Sequence, residues 1–554
     1  MSTRTISAAL LAITMTLPAW AATEAEPTAE PLRTDSGLIS GLVLGADKAV
    51  RVYRGIPYAA PPVGVLRWKP PQPVEPWQGV RPCTEFSAWC PQPRPAMGRE
   101  YGALSEDCLY LNVWTPATSP DAKLPVMLWI HGGGHAAGSG AMTYYHGDKL
   151  ARKGVVVVTI NYRLGPFGYL AHPLLSKESE HGVSGNYGLL DQIAALQWVQ
   201  RNIAAFGGDP GCVTVFGESA GAVSTCRLMV SPLAKGLFHR AIAQSGGAHG
   251  RNRHLRKTWY GQQPMEKVGE RIAKALDCHT GADPLAAMRA KPWQEVLAVS
   301  NPTQGLFGKG TRFGPVIDGW ALPDDPTDLF RAGKQHDVPF MVGANADEGT
   351  VFMRQLPIKR AFGYKLIVRW LFKERAGDVL KLFPVRGDAD AQAAAARLVG
   401  VSSFVTPMRW LARAMERVPS NGYLYHFTRV PAGERTRQYG AFHGLEIAYV
   451  FGHLPPVFAP VATDRQLSAT MQACWTRFAK IGDPNGERLP RWPAYTAAID
   501  RYIEFGDEVV VKARLHHEAC DLFDAIQAEG RSRRDTMPVR APRKPRTGVG
   551  TRRR

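Results

Sequence analysis

The chain has 554 residues, 45% of them hydrophobic and 21% charged. That is an ordinary globular composition with enough apolar residues for a large core, spread over a length that suits two or three domains or one large α/β unit. The net charge of +19 is unevenly placed: Arg531 to Arg554 holds about ten Lys and Arg against one acid, Asp535. With no aromatic-basic platform beside it, that charge does not argue for a nucleic-acid-binding fold.

Residues 1–22 have the pattern of an export signal. Arg4 supplies a positive start, Ile6 to Leu17 is apolar, and Ala19-Trp20-Ala21 is a small-x-small cleavage site. The apolar part is too short to span a bilayer. Export permits disulfides. The eight cysteines (83, 90, 108, 212, 226, 278, 474 and 520) are few for this length and show no CxxC or metal-type spacing. No metal site is expected.

Residues 23–35 are acidic and contain proline, and read as a linker. Short β-like runs follow at 38–44 and 50–53, then a Pro-rich stretch from Pro57 to Trp77. Leu124–Ile130 and Val155–Asn161 are continuous apolar runs of strand length, suited to strands covered on both faces. Asp191 to Phe206 has helical periodicity. Runs at 213–216, 241–244, 340–342 and 423–427 supply further strands. Strands alternating with helices predict an α/β fold with a largely parallel sheet, whose chemistry gathers at the strand C-terminal ends. The stretches near 250–310 and 355–420 read as helical insertions. Cys212 and Cys226 sit in regular elements and read as buried thiols. Residues 530–554, rich in Pro, Gly and Thr, read as a disordered basic tail within reach of non-specific anionic contacts.

Gly217-Glu218-Ser219-Ala220-Gly221 lies between the apolar run 213–216 and a predicted helix, Ala222 to Val230. Strand, Gly-x-Ser-x-Gly, helix is the setting of a nucleophile elbow, in which glycines permit a sharp turn and a helix N-terminus favours developing negative charge. A serine hydroxyl needs a base, and the base needs a carboxylate to orient it. In the chain order Ser, acid, His, the acid falls in Ala344-Asn345-Ala346-Asp347-Glu348-Gly349, where two carboxylates compete. The histidine falls in Gly440-Ala441-Phe442-His443-Gly444. After the strand 124–130, His131-Gly132-Gly133-Gly134 offers unobstructed backbone N–H groups. Those of Gly133 and Gly134, with that of Ala220, make a three-donor oxyanion hole.

Together these motifs resemble the type-B carboxylesterase family, which includes the cholinesterases. The resemblance covers roughly residues 35 to 525. Phe206-Gly207-Gly208-Asp209-Pro210 leading into Ser219 is similar to the family's serine signature, and Glu106-Asp107-Cys108-Leu109-Tyr110-Leu111-Asn112 to its second. Gly55-Ile56-Pro57-Tyr58-Ala59, Asn161-Tyr162-Arg163, Gly185-Asn186-Tyr187-Gly188-Leu189 and Pro315-Val316-Ile317-Asp318-Gly319 are similar to further blocks.

The resemblance implies an α/β-hydrolase domain over 36–529, with helical insertions shaping the active-site gorge. It selects Glu348 over Asp347 as the acid and His443 as the base. It places Glu218, Glu446 and Ser245 close around the triad, and it pairs Cys90 with Cys108. Cys278 matches one partner of a second family disulfide, but Leu285-Ala286-Ala287-Met288-Arg289 lacks the other, so Cys278 is left free. His135 stands where the family usually has an aromatic, and is a candidate pocket residue. The implied function is hydrolysis of a small-molecule carboxylic ester by an exported, periplasmic or secreted enzyme, with no cofactor. Amide, thioester or carbamate hydrolysis on the same triad is the alternative, and a non-catalytic cholinesterase-like binding protein a lesser one.

Overall fold

The computed structural model describes residues 25–94, 101–249, 252–354 and 356–536. The export-signal reading of 1–22 falls outside them. A 12-stranded sheet forms the centre. Its spatial order is Ala25–Pro27, Leu42–Leu44, Val50–Pro57, Tyr110–Thr115, Val156–Ile160, Leu124–Ile130, Gly208–Glu218, Arg240–Gln244, Phe340–Asn345, Gly422–Phe427, Arg501–Phe505 and Val509–Ala513. Every pairing from Val156–Ile160 across to Arg501–Phe505 is parallel. Those strands are apolar on both faces because helices cover both: the Val156–Ile160 residues are all buried, as are those of Phe340–Asn345. The register places Glu218 opposite Gln244, and Gln244 opposite Gly343. Three strands therefore end side by side, and the loops that follow them start from one line.

Two expectations about the chain's ends need correction. Part of the expected linker 23–35 is strand: Ala25–Pro27 pairs with Leu42–Leu44, and Leu32–Thr34 with Gly37–Ser40. Polar edge strands are held by backbone hydrogen bonds, so they show no apolar signal. The run 38–44 is two strands in two sheets, broken at Gly41, where a Cβ would lie 2.5 Å from the Val52 carbonyl oxygen. At the other end, helix His517–Thr536 runs past residue 530. Arg531 is buried. Arg534 pairs with Asp328 at 2.8 Å and lies 4.6 Å over the Trp259 ring. The rest of the tail reading, residues 537–554, falls outside the described residues. Truncation after Thr536 should therefore leave the melting temperature unchanged. Truncation after Glu529 should lower it by about 1–3 °C, the effect of losing one well-packed charged contact in a large domain. If the two truncated chains melt together, the last helical turn contributes nothing.

Helix Tyr187–Asn202 begins one turn before the expected start. The segment 355–420 is only partly an insertion, because helix Thr406–Ala414 packs directly on the sheet. Cys90 and Cys108 are joined in a disulfide, with Cα atoms 5.1 Å apart, and Cys278 is a buried free thiol. Cys226 is buried, whereas Cys212 is half-buried, its Sγ accepting from Arg240 at 3.2 Å.

Candidate active site

Ser219 sits at the tip of the strand Gly208–Glu218, just before helix Ala220–Leu228, with φ +54° and ψ −119°. That left-handed conformation is strained for a residue with a Cβ, and the surroundings over-determine it. The Ser219 N–H donates to the Gln244 carbonyl at 2.9 Å, and its own carbonyl accepts from Val223 N–H at 2.9 Å. The elbow leans on the end of the strand Leu124–Ile130. A Cβ on Gly221 would lie 1.9 Å from the Ile130 carbonyl oxygen, and one on Gly217 would lie 2.6 Å from it. Both motif glycines are thus explained by one close backbone approach, and that approach brings the 131–134 loop to the serine. A Cβ on Gly132 would lie 3.0 Å from that of Ser219.

Gly133 and Gly134 have φ of +101° and +68°. The Gly133 carbonyl accepts from Ala136 and Ala137, at 3.2 and 3.1 Å. Among the described residues, no backbone hydrogen bond uses the N–H of Gly133, Gly134 or Ala220. Ala220 opens its helix, so its N–H has no intrahelical acceptor. His135 departs from expectation. Its imidazole is buried, with Nε2 3.1 Å from Ser224 Oγ and the ring edge-on to Tyr169 at 5.3 Å. Ser224 also accepts from Gln192 at 3.1 Å. The histidine braces helix Ala220–Leu228 from inside instead of lining an open pocket. Burial, with the Arg227 charge adding to it, pushes it down to about 3, so it is neutral.

The loops that carry Glu348 and His443 are tied to each other by hydrogen bonds to the backbone. Asp347 N–H donates to the Ala441 carbonyl at 3.0 Å, and Ala441 N–H donates to Asp347 Oδ2 at 2.9 Å. Thr350 Oγ1 donates to the Tyr439 carbonyl at 2.8 Å. With the two loops clamped, Glu348 Oε2 lies 2.5 Å from His443 Nδ1. Glu348 Oε1 accepts from Ser245 Oγ at 2.5 Å and from Asn345 N–H at 2.7 Å. His443 Nε2 lies 3.0 Å from Glu218 Oε1, an ionic approach without hydrogen-bond alignment. No hydrogen bond joins His443 to Ser219 among the described residues. Such contacts commonly tighten only when substrate is bound. Phe352 and Phe404 flank the imidazole, with ring centroids 4.9 and 4.8 Å away.

Three residues that the sequence did not single out complete the cluster. Asn345 donates to Glu446 Oε2 at 2.5 Å and to the Phe442 carbonyl at 2.8 Å. Gln244 donates to Glu446 Oε1 at 3.1 Å, and Trp475 Nε1 fixes Gln244 Oε1 at 3.0 Å. The signal available was position: Gln244 and Asn345 are polar residues that end strands whose preceding residues, Ala241–Ala243 and Phe340–Ala344, are apolar. Glu348 and Glu446 are fully buried, and Glu218 nearly so. Burial lowers His443, but the carboxylates of Glu218, Glu348 and Glu446 outweigh it, and the imidazole is held above its usual value. Burial, helped by the Glu348 charge, raises Glu446 to about 7.

A negative neighbour favours the imidazolium, so removing one lowers the pH at which the histidine becomes a free base. Glu446→Gln should therefore move the acidic limb of the kcat/KM profile to lower pH, by about one unit. The effect is read above pH 7, where Glu446 is ionised. A limb that stays in place, or moves up, would show that Glu446 does not set the charge of His443.

Residues 28–523 match the model of the carboxylesterase family. The chain is 41% identical to the fumonisin B1 esterase of Sphingopyxis macrogoltabida over 484 residues, 85% of this chain and 86% of that protein. It is 37% identical to a medium-chain fatty acyl-CoA hydrolase precursor of Anas platyrhynchos, over 89% of this chain and 92% of that protein. It is 36% identical to the para-nitrobenzyl esterase of Bacillus subtilis, over 88% of this chain and 96% of that protein. With its mostly parallel sheet and serine elbow, the chain belongs to the carboxylesterase family, with an α/β-hydrolase fold and carboxylic-ester hydrolase activity.

Proposed function

We propose that Ser219, His443 and Glu348 form the catalytic triad of this carboxylesterase and that the reaction passes through an acyl-enzyme. Ser219 Oγ attacks the ester carbonyl carbon while its proton passes to His443 Nε2. The oxyanion is held by the N–H groups of Gly133, Gly134 and Ala220, each such donor being worth about 100- to 1,000-fold in rate. Collapse expels the alcohol, which takes the proton from His443. Water, deprotonated by the same imidazole, then releases the acid. Glu348 orients His443 and stabilises its cation, and Ser245 steadies Glu348.

The observation that carries this reading is the convergence of three loops at adjacent strand ends. It brings a strained serine, free backbone donors and the 2.5 Å His443–Glu348 contact into one site. Thioester cleavage is the second reading, because one relative is named as an acyl-CoA hydrolase. The deciding assay sets p-nitrophenyl esters of rising acyl length beside an anilide and an acyl-CoA. Esters should be turned over fastest. A higher kcat/KM on the thioester would make that the main reaction. Export is also part of the proposal. It is supported by the pattern of residues 1–22 and by the Cys90–Cys108 disulfide, and it is checked by sequencing the N-terminus of the mature protein.

A further inference from the structure

Helix Ala361–Phe372 is apolar on two faces, and the described residues cover only one of them. Inward, Tyr364 and Val368 are buried, and the Tyr364 hydroxyl donates to the Phe383 carbonyl at 2.9 Å. Outward, Phe362, Leu366 and Trp370 recur at i, i+4 and i+8 and form one stripe. They are 72%, 55% and 76% exposed, and Leu371 beside them is 49% exposed. Two aromatic rings standing mostly in water on one ridge are a contiguous apolar patch of the kind that marks an interaction surface.

The charges around the ridge say what covers it. Lys359, Arg360, Lys365, Arg369 and Lys373 bracket the stripe, with no acid between Glu348 and Glu374 in the chain, and Asp388, which accepts from Ala361 N–H at 2.9 Å, stands at its N-terminal end. Every salt bridge among the described residues leaves these five cations out. A second copy docked on this face would set two unpaired cationic collars against each other. An acidic bilayer surface supplies the opposite charge. It accepts Trp and Phe at the headgroup level, while Lys and Arg stems lie along the apolar boundary with their heads in the headgroups. The helix has 12 residues, too few to span a bilayer. Residues 537–554 add seven Lys and Arg and no acid, a charge that favours the same kind of surface whatever its position.

We propose that helix Ala361–Phe372 is an interfacial anchor that seats the protein on an anionic phospholipid surface. The anchor packs on helix Ala391–Gly400, which packs in turn on Thr350–Met353, the turn that carries Phe352 to His443.

The test is co-sedimentation of the full chain with vesicles of phosphatidylcholine alone and of phosphatidylcholine with an equal share of phosphatidylglycerol. Binding is expected to the anionic vesicles, at least tenfold over the neutral ones, and to weaken with salt. Phe362→Ser/Trp370→Ser should lose at least tenfold of that binding while turning over a soluble p-nitrophenyl ester at the wild-type rate, which also shows that the variant is folded. A chain ending at Thr536 should still bind. The proposal is overturned if the full chain ignores anionic vesicles, or if the double substitution leaves binding intact and the truncation abolishes it, making the tail alone responsible. It is overturned equally if the stripe instead drives concentration-dependent self-association that the same substitutions remove, or if only an acidic protein is captured.

Discussion

Ser219→Ala is expected to lower kcat/KM on a soluble p-nitrophenyl ester by roughly 10⁴-fold or more, with the fold intact. The size follows from what is removed. The oxyanion donors stay in place, but the bond to the acyl carbon cannot form, and a triad missing its nucleophile loses nearly all that the triad contributes. The fold is spared for a reason visible in the elbow. The positive φ is imposed by backbone contacts, from Ser219 N–H to Gln244 and from Val223 to the Ser219 carbonyl, and neither uses the hydroxyl. Alanine bears the same Cβ strain as serine, so melting should be unchanged. An organophosphate should label the wild-type protein on Ser219 at one equivalent and fail to label the variant. Label on another serine, or turnover persisting well above background, would remove Ser219 from the mechanism.

Much of this site was legible because its chemistry needs unusual backbone. Gly217 and Gly221 mark the approach to Ile130, Gly133 and Gly134 carry positive φ, and Gly440 and Gly444 bracket the histidine. Backbone demands of that kind leave glycines at fixed spacings, and spacing is what a sequence displays. Ser245, which holds Glu348, was legible, but the residues that hold Glu446 were not. Gln244, Asn345 and Trp475 are far apart in the chain and meet only because parallel register aligns the ends of Arg240–Gln244 and Phe340–Asn345. His135 was placed correctly in the chain, but its direction was not readable, because the side chain follows a φ of +57° that turns it under the nucleophile helix. The ends of the chain misled for a related reason. Ala25–Pro27 is held by strand pairing, and the last turn of His517–Thr536 by an arginine over an indole. Neither interaction writes an apolar period into the sequence. The stretch 355–420 reads only as a helical insertion, and the exposure of Phe362, Leu366 and Trp370 along one ridge is visible in the structure alone.

Glu348→Gln and Asp347→Asn are adjacent, nearly isosteric changes, and their effects should differ by orders of magnitude. In the proposed triad Glu348 Oε2, 2.5 Å from His443 Nδ1, accepts the Nδ1 proton, which makes Nε2 the nitrogen that takes the serine proton. A glutamine keeps the shape, but its NH₂ can donate to Nδ1, which moves the ring proton to Nε2 and blocks proton uptake. It also removes the charge that stabilises the imidazolium. A loss of roughly 10⁴-fold in kcat is expected. Asp347 does not reach the imidazole. Its Oδ2 accepts the Ala441 N–H at 2.9 Å and packs so closely on Gly440 that a Cβ there would lie 2.1 Å away. Its carboxyl is raised by burial, with the Glu348 charge adding to it, so a neutral side chain at this position is no burden. An asparagine oxygen can keep the Ala441 hydrogen bond, and kcat should fall by less than about tenfold, because the loop is still clamped by Asp347 N–H and Thr350. Both variants should be compared by kcat and KM on the same soluble ester, with thermal melting to confirm that each is folded. If asparagine at 347 proves the more damaging, the histidine in the working enzyme turns to Asp347, and Glu348 is left as a buried structural acid.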